Sequence, residues 1–186
     1  MLSNSAQTTS LTKLRGKISW ICQAVRWLAV VWLAWILTLI LLPLTDLAGL
    51  VGKINKSPEL AAAPITVENL MASRSVNLLV WAVATLIGIA LWRLMSGYLQ
   101  GDIFSEEAAT RLRRVGQAAL LTTIVNVALR PLTLWFMSPT LFQSADIRAY
   151  FVPDDLLYVL ISALILSLAS VYAAAAEINA ENKQFV

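Results

Sequence analysis

Four apolar runs, each near the roughly 20 residues that a helix needs to cross a bilayer, constrain this chain more than anything else in it. They cover about 21–44, 76–95, 115–137 and 156–176. Hydrocarbon offers the backbone no hydrogen-bond partners, so runs of this length must close their own bonds as helices. Only 13% of the residues are charged, against about a quarter in soluble domains. The 186 residues therefore predict one all-α domain over 1–186, an integral membrane four-helix bundle. The apolar run after Arg26 is longer than a signal-peptide core and has no prompt cleavage site, so it reads as a retained span. Residues 1–19 read as a mobile tail that becomes helical near the membrane.

Lysine and arginine placement sets the orientation. Lys13, Arg15, Lys17 and Arg26 precede or open the first span, and Arg93, Arg111, Arg113 and Arg114 lie between the second and third. The longer loop 45–75 holds only Lys53, Lys56 and Arg74, and the last loop only Arg148. Both termini are expected in the cytoplasm, with the chain a multi-pass membrane protein. Gly49, Gly52, Pro58 and Pro64 mark loop 45–75, and Ile65 to Arg74 reads as a short helix at the interface.

The cytoplasmic hinge, 96–114, is the densest cluster of charge. Ser105 stands at a helix N-cap, with Glu106 and Glu107 in the first turn, where the helix dipole favours acids. Glu107 and Arg111 have the favourable i,i+4 spacing. A short interfacial helix between spans two and three is expected here. The tail 177–186 carries Glu177 and Glu181 one turn apart. Phe104, Glu107, Arg111, Arg113, Arg114, Glu177 and Glu181 together form a candidate partner-docking surface.

Chemistry is thin. There is no histidine, which removes the commonest general base and metal ligand, and no nucleotide-, zinc- or serine-hydrolase motif occurs. No catalytic, cofactor or metal site is predicted. Asp102, Glu106, Glu107, Glu177 and Glu181 read as a solvated rim of ion pairs, with a metal or catalytic site as the alternative. Cys22 reads as inert filler, with palmitoylation as the alternative.

Arg130-Pro131 is the oddity of the third span. Pro131 should kink that helix and free a carbonyl near Val127. Arg130 reads first as snorkelling to the headgroups; the alternative pairs it with Asp146, Asp154, Asp155 or an anionic ligand. Asn126, one turn inward, extends a polar seam. Small residues, which let helices approach closely in lipid, recur at Ala84 and Gly88 and at Ala163, Ser167, Ala169 and Ala173. They predict close packing of spans two and four. Trp20, Trp27, Trp92 and Trp135 suit interfacial belts. Trp32 and Trp35 lie deeper and read as bulky packing against a neighbouring helix, with a pigment, quinone or lipid contact as the alternative.

Two stretches resemble a known family. Gly101 to Gly116, G-D-I-F-S-E-E-A-A-T-R-L-R-R-V-G, and Leu168 to Val186, L-A-S-V-Y-A-A-A-A-E-I-N-A-E-N-K-Q-F-V, resemble signatures of a group of bacterial four-span membrane proteins, domain of unknown function 2975. Where other members tend to carry a glycine, this chain has the run Ala173 to Ala176. Some members are encoded beside a small helix-turn-helix protein, so the resemblance implies a membrane-tethered regulator and supplies no activity.

The expected function is a non-enzymatic protein that docks a cytosolic helix-turn-helix regulator through hinge and tail, with no direct nucleic-acid binding of its own. The alternatives are an accessory subunit among other membrane subunits, and a small channel or transporter gated at Arg130 and thinly lined by Thr122, Thr123 and Asn126. A homo-oligomer is compatible with the first reading.

Overall fold

The computed structural model describes residues 3–56, 64–100, 105–137, 142 and 150–184, with side chains over 19–178 of these. Every element among them is helical. Helix α1 spans Ser3–Leu41, a 3-10 turn follows over Leu42–Asp46, and α2 spans Leu47–Ile54. Helices α3 (Val67–Leu99), α4 (Glu106–Met137) and α5 (Pro153–Gln184) complete the chain. Four helices are long and apolar enough to cross a membrane: Ser19–Ile54, Val67–Leu99, Glu106–Met137 and Pro153–Ile178.

At 32 or 33 residues, α3, α4 and α5 are each about 50 Å long, well beyond a hydrocarbon core of about 30 Å. The surplus corrects several expectations. The charged hinge segment is the first turns of α4 itself, in line with the span rather than lying on the interface. No glycine or proline interrupts residues 105–115, and Glu and Arg are good helix formers, so nothing stops the helix there. Ser105 caps it as expected, its Oγ accepting from the Ala108 N–H at 3.0 Å. Likewise Val67 to Arg74 is continuous with α3, which Thr66 caps by accepting from the Asn69 N–H. The N-terminal segment is helical from Ser3.

Consecutive spans pack as neighbours, α1 on α3, α3 on α4 and α4 on α5. The expected pairing of spans two and four does not occur, because α4 lies between them. The small residues serve other seams. Gly88 of α3 faces Leu33 of α1, whose Cδ1 would lie 2.5 Å from a Cβ at that position. Gly116 of α4 meets Leu166 and Ile165 of α5. On α5 Ala169 is buried, whereas Ala163, Ser167 and Ala173 are exposed. Helical small-residue spacing gives a face but not the neighbour that uses it.

Two seams of α3 carry polar ties. Trp81 Nε1 donates to the Leu33 carbonyl at 3.0 Å, joining α3 to α1 within the spans. At the ends away from the termini, the Asn55 side chain both accepts from the Ile65 N–H and donates to its carbonyl, each at 2.9 Å. That pair of bonds seats Ile65, which is buried, under the first loop. Asn69 Nδ2 donates to the Met137 carbonyl and ties α3 to α4 at the same end.

Replacing Trp81 by Phe keeps the ring and removes the donor, and should cost about 1 kcal/mol when unfolding is followed in sodium dodecyl sulfate. Gly88→Leu should cost more, because Leu33 already fills the space. Gly52→Ala, in open space, should leave the midpoint unchanged.

Candidate functional site

Three polar features stand out along the bundle. The first is at the ends away from the termini. Arg130 of α4 holds Asp155 of α5 with two parallel bonds, Nη1 to Oδ2 at 2.6 Å and Nη2 to Oδ1 at 2.8 Å. Its Nη1 also donates to the Tyr150 carbonyl at 2.8 Å. Asp155 is the third residue of α5, after Pro153 at the position where proline is best tolerated. Its carboxylate reaches back to accept the Val152 N–H at 2.9 Å, as an acid in the first turn of a capping box does. The carboxylate side chain is only 10% exposed and that of the arginine 21%.

Bidentate geometry of this kind is among the strongest that arginine makes, and it replaces the snorkelling expected first. A snorkelling arginine needs water at its tip, whereas here a helix start delivers a carboxylate within reach. Pro131, next in sequence, sits inside α4, which continues to Met137. Asp154 is exposed and Asp146 lies outside the described residues. Trp135, Phe142 and Tyr150 stack edge to face beside the pair, and the Tyr150 hydroxyl donates to the Phe142 carbonyl.

The second feature is a cleft of about 430 Å³ at the middle of the spans, lined by all four. Trp32 of α1, Asn77 and Trp81 of α3, Asn126 of α4, and Tyr158 and Ser162 of α5 contribute its polar and aromatic surface. No charged side chain lines it. Asn126 thus faces a space shared by the whole bundle. Trp35, by contrast, points outward with 64% of its surface exposed, which departs from the helix packing expected of it, while Trp32 lines the cleft. Asn77, Tyr158 and Ser162 were not singled out from the sequence. Asn77 was legible, since it is the one carboxamide in the second apolar run; Ser162 needed the register of α5.

The third feature is the charged end of the bundle that carries the termini. Glu107 Oε2 accepts from Arg111 Nη2 at 2.8 Å. The Arg111 guanidinium lies against Gly97 at the end of α3, where any side chain would collide with it. Arg113 and Arg114 are exposed, and a shallow depression of about 380 Å³ runs between Glu106, Glu107, Thr110, Arg111 and Arg114. Contacts of Arg130 with Asp155 and of Gly116 with Ile165 and Leu166 set α4 and α5 antiparallel. In that register the turn holding Glu177, which is exposed, lies beside the start of α4. Phe104 and Asp102 lie outside the described residues, as does the side chain of Glu181.

On α1, Arg26 stacks over the Trp92 ring at 3.7 Å, and Trp27 meets Trp92 edge to face. Such a cation–π contact suits an arginine at an apolar boundary. Cys22, one turn earlier, is buried. No group of three or more acids and cysteines with metal-binding geometry occurs among the described residues.

Residues 56–186 match the family described as "Protein of unknown function (DUF2975)". That is well over half of the chain, and the chain belongs to this family. No curated protein and no solved structure matches it significantly.

Arg130→Ala and Asp155→Ala should each destabilise the bundle by roughly 3 kcal/mol, because each leaves an uncompensated, largely buried charge. The double variant should lose less than the two singles together. Denaturation of the four proteins in one detergent checks this. Additive losses would mean that the two side chains do not act as a pair.

Proposed function

We propose that this member of the DUF2975 family is a non-enzymatic, multi-pass protein of the bacterial inner membrane, with both termini in the cytoplasm. It docks a small cytosolic regulator on the charged end of its bundle. The observation that carries this reading is the concentration of exposed charge where α4 begins and α5 ends. Glu106, Arg113, Arg114 and Glu177 are all exposed there, on helices longer than the membrane needs. Exposed ion pairs contribute little to stability, typically a few tenths of a kcal/mol. A rim of mixed charge at two neighbouring helix ends therefore does more as a recognition surface, where charges set orientation and encounter rate.

Arginine placement supports the orientation. Arg93, Arg111, Arg113 and Arg114 all fall between α3 and α4 or near their ends, and the two opposite loops carry fewer lysines and arginines. The regulator reading rests on the family resemblance, and the surface supplies the chemistry by which a soluble partner would be held.

A reporter fused after Val186 and a cysteine label placed at Arg113 should both report the cytoplasm; a periplasmic signal from either sinks the orientation and the docking surface with it. Given that orientation, a soluble partner captured by the full chain should be lost from Phe104→Ala, Arg113→Glu and Glu181→Lys proteins that still insert into the membrane. Its retention should also fall as salt rises, as expected of exposed charge pairs. Recovery of the same partner by all three variants overturns the reading.

A further inference from the structure

The mid-span cleft has a chemistry that a lipid acyl chain does not match. Asn77 and Asn126 line it from α3 and α4, and neither side chain makes a hydrogen bond to another described residue. The hydroxyls of Thr122 and Ser162, also on its wall, are already donated to the Ala118 and Tyr158 carbonyls at 2.8 Å. The cleft therefore offers carboxamide N–H donors in hydrocarbon, where a polar group without a partner is costly. Trp32, Trp81 and Tyr158 add flat apolar walls.

Charge narrows the occupant. No charged residue lines the cleft, so an ionic ligand would be desolvated without compensation. A phospholipid headgroup carries an ionised phosphate and falls under the same exclusion. An acyl chain would fill the space but leave both carboxamides without acceptors. The occupant that fits is uncharged, dissolves in the bilayer interior and carries carbonyl oxygens on a flat ring. Its tail has an exit, since α1 and α5 wall the cleft without packing substantially on each other.

We propose that the cleft between the four spans is a binding site for a lipid of the quinone class, its ring carbonyls accepting hydrogen bonds from Asn77 and Asn126. The ring lies among Trp32, Trp81 and Tyr158, and the Arg130–Asp155 pair stands one turn beyond the cleft toward the loop end. This site is independent of the charged surface at the opposite end of α4, so either can fail without the other.

The test uses the full chain in lipid nanodiscs, with decylubiquinone as probe and quenching of tryptophan fluorescence as readout, against nanodiscs holding a tryptophan-bearing peptide of unrelated sequence. Saturable quenching above the peptide control is expected. Asn77→Leu and Asn126→Leu, both compatible with a span, should each raise the half-saturating concentration about fivefold or more, the loss of one hydrogen bond. Hexadecane should not displace the probe. Quenching that only tracks partitioning, an unchanged double Asn variant, or equal displacement by hexadecane would each overturn the proposal. A circular dichroism spectrum and detergent midpoint matching the unsubstituted chain show that the variants are folded.

Discussion

A polar group in hydrocarbon must find its partner within the protein, and this bundle is arranged around that requirement. Most hydroxyls meet it locally. Thr38, Thr122, Thr123, Thr133, Ser162 and Ser170 each donate to a carbonyl one turn earlier, which satisfies the side chain without linking helices. The indole of Trp81 and the guanidinium of Arg130 cannot be satisfied in that way. They reach across to α1 and α5, and so become polar ties between spans, as Asn69 does from α3 to α4. Asn77 and Asn126 use neither solution, and they face the same cleft.

Contact between helices otherwise depends on shape. Lipid supplies no hydrophobic drive between apolar helices, so dispersion and close approach decide which faces meet. Gly88 accepts Leu33, Gly116 accepts Leu166, and Gly97 accepts the Arg111 side chain. Elsewhere the spans leave most of their apolar surface outward, as Trp20, Leu156 and Val171 illustrate. For a chain surrounded by acyl chains this is the ordinary condition of a surface.

The number of spans and the start of α4 were legible in the sequence, because both follow from local chemistry: apolar length in one case and the Ser105 cap in the other. The start of α5 was nearly so, with Asp155 just outside the expected span of 156–176. The neighbour relations were not legible. Spacing shows that Ala84 and Gly88 share a face but says nothing of whether α1, α4 or α5 lies against it. The fate of Arg130 turned on the same missing knowledge. From α4 alone, snorkelling is the economical answer; only the placement of Asp155 on an adjacent helix start makes pairing cheaper. The cleft was hidden for a related reason, since it is assembled from single polar residues on different spans.

The neighbour-by-neighbour order has a bearing on how the protein is made. Each helix leans on the one synthesised just before it, so the bundle can assemble as the spans leave the ribosome, without waiting for a distant segment. Some polar groups still wait for a later segment, Arg130 among them. Its carboxylate partner follows 25 residues later, a delay of about 1–5 s at ordinary elongation rates. Until α5 has been made, the guanidinium lacks the carboxylate that holds it in the finished bundle. The final ion pair is thus a closing step of biogenesis, and it turns three inserted helices into a finished four-helix protein.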